Sequence, residues 1–256
     1  MFFASDMKTL FCYAMDIGEQ LLLCGAEVHR VEETVTRICT AFGAQRVDVF
    51  IITSSMVVTV HTADGNTHTQ TRRIRSVNFD FERLHYLNHL SHDICEKNLS
   101  GEEINARLQT IRACKRFPLW AEFGCYAGIA AAFTLFFGGS IVEAVLSLMI
   151  GLVVRLGLWL TDRIITNKVF GKFFATVIIT ALAFALQQLG WIGKMDTIII
   201  GNIMTLIPGI GLTNAMRDLF TGDSIAGLLR TAEAALTALA IAAGYYLVAV
   251  FGGFAV

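Results

Sequence analysis

The sequence predicts an α-helical membrane protein with about five transmembrane helices, one broken at Pro-Gly, joined to an N-terminal cytoplasmic α+β domain. Three observations carry this. Hydrophobic residues make up 55% of the 256 residues and the mean hydropathy is +0.60, too apolar for an ordinary water-soluble domain. Charge is segregated: residues 1–119 hold 27 of the 41 charged side chains, and residues 120–256 hold the other 14. A run rich in β-branched residues, 46–61, interrupts an otherwise helical pattern in the polar part. The boundary falls near residue 117, giving a cytoplasmic α+β domain over 1–117 and a transmembrane helical domain over 118–256. A net charge of −1 gives no case for nucleic-acid binding.

The first element is a helix over about residues 7–24, where Leu10, Tyr13, Ala14, Ile17, Leu21 and Cys24 recur at helical spacing. Gly25 ends it. A second helix follows over about 27–42, with Val28, Val31, Val35, Ile38 and Phe42 on one face and Gly43 as its C-terminal stop. Residues 46–61 then read as two strands joined near Thr53-Ser54-Ser55, and Thr67 to Arg73 reads as a third after the turn Ala63-Asp64-Gly65-Asn66. A helix over about 79–97 turns Phe81, Leu84, Leu87 and Ile94 inward. The last helix of the domain starts at the capping box Ser100-Gly101-Glu102-Glu103 and buries Ile104, Leu108 and Ile111.

Three features of this domain invite a chemical reading. His85, His89 and His92 share one helix face with Glu96, but no second ligand cluster accompanies them, so a polar solvent face is the plainer reading and no metal or cofactor is expected. Ser54 and Ser55 near His61 lack the G-x-S-x-G elbow of a hydrolase, and the chain is not expected to be an enzyme. Glu27, Arg30 and Glu32, with Glu33, form either a gating or subunit contact or a solvated ion-pair face. The six cysteines show neither a C-x-x-C pair nor zinc-ligand spacing, and in a cytosolic domain they are expected to be reduced. The start of the chain is broken by charges and lacks the form of a secretory signal.

Five apolar segments meet the length rule for a span: about 119–137, 141–160, 173–191, 196–214 and 231–251. Arg112, Lys115, Arg116, Arg163, Lys168, Lys172, Arg217 and Arg230 fall on one side, and only Lys194 on the other. The positive-inside rule then puts the N-terminal domain in the cytoplasm and the C-terminus outside. Trp120 and Trp191 sit near span ends, as interfacial anchors do. The fourth span is interrupted at Pro208-Gly209 and Gly211, where proline removes an N–H and freed carbonyls need protein or water. Asn202, Thr205, Thr213 and Asn214 surround the break. Broken helices with small polar side chains build the midplane sites of many transporters, and kinks also occur for packing alone; this stretch by itself is compatible with both. Glu143 reads as interfacial, Arg155 as a snorkelling residue, and Asp218 and Arg230 as a possible pair.

Two stretches resemble the threonine/serine exporter family, and the likeness covers nearly the whole chain. One is 21–60, with Gly25-Ala26-Glu27, Arg30-Val31-Glu32 and Gly43 at the family's positions. The other is 206–230, with Pro208-Gly209, Asn214-Ala215, Asp218, Gly222 and Arg230. The chain stops after about five spans, where single-chain exporters continue through a second membrane half. It is therefore similar to the long subunit of the split, two-component form associated with succinate export. The resemblance implies a secondary transporter subunit of the bacterial inner (plasma) membrane, exporting threonine, serine or a dicarboxylate such as succinate and driven by the proton-motive force. It also implies a shorter membrane subunit of the same family, or a homo-oligomer, as partner.

The site expected from these readings has three parts. Asn202, Thr205, Pro208, Gly209 and Asn214 line the substrate path. Asp218, Arg230 and Glu233 serve gating or proton coupling. Glu27, Arg30 and Glu32 form the cytoplasmic-domain motif. The competing reading is a membrane-anchored ligand sensor or regulatory subunit with no transport of its own, although an anchor has no need of a Pro-Gly break flanked by polar residues.

Overall fold

The computed structural model describes residues 4–75, 77–97, 99–114, 117–164 and 167–253, with the backbone alone for 4–7. Lys115 and Arg116, two of the basic residues flanking the first span, lie outside the described residues. The chain divides into two compact units, each made of two segments: Met1–Lys115 with Gly211–Thr231, and Arg116–Ile210 with Ala232–Val256.

The first unit opens with helices α1 (Ala4–Leu23) and α2 (Val28–Ala41), followed by strands β1 (Ala44–Ile52), β2 (Ser55–Thr62) and β3 (Thr67–Arg73), and by helices α3 (Phe81–Lys97) and α4 (Gly101–Ala113). The strands form an antiparallel meander in the order β1-β2-β3, with Ile52 opposite Ser55 at the first turn and a bulge between Ala44 and Arg46. β2 alternates strictly, burying Met56, Val58, Val60 and Thr62, which is the two-residue period of a half-buried strand. Thr-rich β3 forms an exposed edge, with Thr59 and Thr69 hydroxyls 2.9 Å apart across the pair. The core gathers Ile17 and Leu21 of α1, Val31, Val35 and Ile38 of α2, Leu87 and Ile94 of α3, and Ile104 and Leu108 of α4. The capping box at α4 forms in full: Ser100 Oγ accepts from the Glu103 amide, and the Glu103 carboxylate accepts from the Ser100 amide at 2.9 Å. One inward expectation is corrected: Phe81 begins α3 and is 58% exposed, because the helix starts there and its fully buried stripe begins only at Leu87, nearly two turns later.

The second unit holds α5 (Leu119–Phe136), α6 (Ile141–Ile164), α7 (Lys168–Gln188) and α8 (Met195–Ile203). α9 (Gly209–Thr221) lies mainly in the first unit, and α10 (Ser224–Phe251) begins in the first and continues into the second. Among the described residues, four helices are long and apolar enough to cross a membrane: α5, α6, α7 and α10. They expose Phe136, Ile141, Leu160, Leu239 and Phe251, side chains that a bilayer accepts and water does not favour. The protein is thus a membrane protein, mostly helical, with a small antiparallel sheet near its N-terminus. The expected span 196–214 is not one continuous helix. α8 stops at Ile203, short-range bonds such as Leu206 N–H to the Ile203 carbonyl at 2.8 Å fill residues 204–208, and α9 starts at Gly209.

Close approach in the second unit depends on small residues. A Cβ on Gly151 would meet the Tyr126 carbonyl at 3.1 Å, and one on Gly244 would meet the Phe173 carbonyl at 2.7 Å. Glu143, read from sequence as interfacial, is buried and fully engaged. It closes a capping box with Ser140 at the start of α6 and accepts from the Gly193 and Lys194 amides at 3.2 and 2.7 Å. Arg155, expected to snorkel, pairs instead with Glu122 of α5 and lies near the rings of Phe123 and Tyr126. Glu143→Ala is expected to cost about 1–3 kcal/mol, because two amides of the α7–α8 link lose a buried acceptor. Thermal unfolding of the detergent-purified chain measures this, and an unchanged melting temperature would mean the carboxylate is dispensable there.

Candidate functional site

Two polar clusters stand out, one in each unit. The first grows from the way α1 ends. Gly25 takes φ +84°, and its N–H donates to the Leu22 carbonyl while the Ala26 N–H donates to Leu21. This is the Schellman stop, which needs a left-handed residue; a Cβ at Gly25 would also strike the Phe79 ring. The tight link leaves the Gly25 and Ala26 carbonyls outside any helix. It also delivers Glu27 in extended geometry as the N-cap of α2, where its side chain makes no capping bond.

Residues from α9 and α10 fill those vacancies. Asn214 Nδ2 donates to the Gly25 carbonyl at 3.1 Å, and Arg230 Nη2 donates to the Ala26 carbonyl at 3.2 Å. The Val28 amide at the head of α2 donates to Asp218 Oδ1 at 3.3 Å, so Asp218 caps this helix from 190 residues away. Asp218 is fully buried and lies 2.8 Å from Arg230 Nη1, while Arg217 pairs with Glu27. The buried carboxylate therefore meets a guanidinium and the positive end of a helix together. Burial pushes its pKa above the usual carboxylate range, and Arg230 and the Val28 amide oppose that shift.

Around the next turn, Gly222 takes φ +100° and the Asp223 N–H donates to the Asp218 carbonyl at 2.9 Å, ending α9 as α1 ends. This turn places Asp223 beside His29 and Glu32, with one ligand atom from each lying within 4.8 Å of the others. Burial, then the Asp223 charge, pushes the Glu32 carboxyl up to about 6, with His29 pulling it down. Arg30 is exposed. Among the described residues, His85, His89 and His92 do not meet as a three-ligand group. His61 spends its ring nitrogens on Thr67 Oγ1 at 3.1 Å and Asp48 at 3.4 Å, not on Ser54 or Ser55.

The second cluster is buried in the apolar unit. Asn202, 1% exposed near the end of α8, donates to Ser147 Oγ at 2.8 Å and to the Ile198 carbonyl at 3.0 Å. Thr134 Oγ1 lies 2.7 Å from Ser147 Oγ and 2.9 Å from the Ala130 carbonyl. Gly201 packs against Thr134 so closely that a Cβ would lie 2.9 Å from the Ala130 carbonyl. Asn202 Oδ1 has no hydrogen-bond partner among the described residues. Thr205 Oγ1 donates to the Asn202 carbonyl at 2.7 Å, and Pro208 and Gly209 follow at the start of α9.

The expected substrate path is therefore divided: Asn202, Thr205, Pro208 and Gly209 belong to the second unit, and Asn214 to the first. Asp218 and Arg230 are joined, whereas Glu233 is exposed on α10 and belongs to neither cluster. The sequence reading missed Thr134 and Ser147, whose hydroxyls look like ordinary small residues of membrane helices. It missed His29 and Asp223 because no local pattern links them. The capping box Ser140-x-x-Glu143 was the one overlooked signal that spacing alone could have supplied.

Comparison with known proteins adds three findings. A family profile described as "Putative threonine/serine exporter" matches residues 12–252. A Mycobacterium tuberculosis protein named "Probable threonine/serine exporter" is 25% identical over 232 residues, which is 89% of this chain and 43% of that protein, so the chain spans less than half of that relative. A Klebsiella aerogenes protein named "Probable succinate transporter subunit YjjP" is 27% identical over 248 residues, covering 94% of this chain and 93% of that one. No solved structure matches the chain. Asp218→Ala is expected to cost about 3–5 kcal/mol, since it strands Arg230 and the Val28 amide, and Asp218→Leu with Arg230→Met is expected to recover part of the loss. Thermal unfolding of the full chain measures both, and an Asp218→Ala protein as stable as the parent would remove this pair from the architecture.

Proposed function

From the premise that this chain belongs to the threonine/serine exporter family, as the match over residues 12–252 shows, we propose that it is a subunit of a secondary exporter for a small polar metabolite. The observation that carries this is Asn202: a buried amide whose Oδ1 is unsatisfied, beside the Ser147 and Thr134 hydroxyls, in a unit otherwise built for hydrocarbon. An unsatisfied polar group is costly in a membrane and is kept where it does work. It lies a few residues before Pro208, which has no N–H to give the Met204 carbonyl. Asn202, Thr205 and the backbone freed near Pro208-Gly209 would offer a carboxylate, hydroxyl or ammonium group its hydrogen bonds along the export path.

The names of the two relatives support a substrate among threonine, serine and succinate. The chain spans 93% of the relative called a transporter subunit, which supports a second, separately encoded membrane subunit as partner. In this reading the protein lies in the inner membrane with its N-terminal domain in the cytoplasm, Asp218 and Arg230 form a gate, with Asn214 and the Glu27–Arg30–Glu32 motif around it, and Glu233 takes part in coupling to the proton-motive force.

Efflux is the test. Cells preloaded with labelled succinate, threonine or serine, and expressing this chain with a shorter subunit of its family, should release one of them in an uncoupler-sensitive manner. Asn202→Leu should lower that rate at least tenfold at equal membrane levels, and Pro208→Ala should impair export more than insertion. Export unchanged in both variants would exclude this path.

A further inference from the structure

Around the Asp218 cluster, acidic side chains are matched with cations: Asp218 with Arg230, and Glu27 with Arg217. Glu32 and Asp223 are the exception. Both are half-buried and close together, and among the described residues neither has a lysine or arginine nitrogen within 4.0 Å. The group facing them is instead the His29 imidazole. His29 and Glu32 are three residues apart in the first turns of α2, hence on one helix face, while Asp223 comes from the turn between α9 and α10.

We propose that His29, Glu32 and Asp223 bind a divalent transition-metal ion. One imidazole nitrogen and two carboxylate oxygens from separate segments form a donor set suited to Mn²⁺, Fe²⁺ or Zn²⁺, whereas Mg²⁺ and Ca²⁺ favour oxygen alone. Metal–ligand bonds of about 2.0–2.2 Å put neighbouring donors about 3–3.5 Å apart. The donors lie within 4.8 Å of one another, so a closure of little more than an ångström brings them to that spacing. Asp223 is held for the purpose by its N–H bond to the Asp218 carbonyl at 2.9 Å. The ion supplies the positive charge that two adjacent carboxylates lack. It also bridges the segments already joined by Asp218 and Arg230, so it fastens α2 to the turn before α10. This proposal is independent of the transport reading, and its test uses no transport assay.

The full chain, purified in detergent and stripped with a chelator, is titrated with Mn²⁺ and followed by electron paramagnetic resonance. The expected result is one tightly bound Mn²⁺ per chain with ¹⁴N coupling from an imidazole. His29→Ala and Asp223→Asn should weaken binding at least tenfold, while His85→Ala leaves it unchanged. Mn²⁺ should raise the melting temperature of the parent and not of Asp223→Asn. Absence of bound Mn²⁺ at millimolar concentration, a bound ion without nitrogen coupling, or equal binding by the parent and both variants would each overturn the site. The nitrogen coupling in the parent decides the matter even if a variant fails to fold.

Discussion

A carboxylate removed from water is tolerated only where cations and N–H donors converge on it, and around Asp218 they do. The convergence is economical. Arg230 meets the charge and also satisfies the Ala26 carbonyl, while the same carboxylate satisfies the first amide of α2. Asn214, one helical turn before Asp218, holds the neighbouring Gly25 carbonyl. The left-handed Gly25 is thus the complement of α9: it turns the chain so that three backbone groups face the residues able to pair with them. Neither segment could bury these groups alone.

The membrane unit meets the same constraint in a harsher solvent. Two of its charged groups are tied down: the Glu143 carboxylate by three backbone N–H groups around two helix starts, and Arg155 by Glu122 with aromatic rings beside it. Its hydroxyls return to carbonyls one turn back, as Thr176 does to Lys172 and Thr180 to Thr176. Among the described residues of this unit, two buried side-chain atoms have no hydrogen-bond partner, Nε of the ion-paired Arg155 and the amide oxygen of the uncharged Asn202. Glycines at 151, 201 and 244 let backbones approach closely in this unit.

Local signals gave most of the elements. The stripe Val28–Val31–Val35–Ile38 is periodic and buried, the Ser100 box forms, and β2 alternates as its residues demand. Phe81 misled because helical period says which face a residue lies on, not how far toward the helix end the core extends. The apolar run 196–214 was long enough for a span, but length counts residues and not where the backbone bonds stop; α8 ends before Pro208 is reached. The site was the least legible part. Asp218 with Arg230 could be suspected from twelve residues' separation and opposite sign, yet their backbone partners lie at 26 and 28. Contacts between residues 190 apart leave no periodicity, and backbone amides and carbonyls have no letter in a sequence.

The first compact unit is assembled from Met1–Lys115 and Gly211–Thr231, with the segment that supplies α5 to α8 between them. Synthesis proceeds from the N-terminus, so the ribosome delivers α2 long before the residues that cap it. Until Asp218 and Arg230 emerge, the Val28 amide and the Gly25 and Ala26 carbonyls have only water. The N-terminal unit therefore reaches its final form after the intervening apolar helices have left the ribosome and entered the bilayer, which makes its completion a late, non-local step in biogenesis. A shortened chain ending before residue 211 would carry every strand and all four helices of the N-terminal region, yet lack the polar seal that closes them.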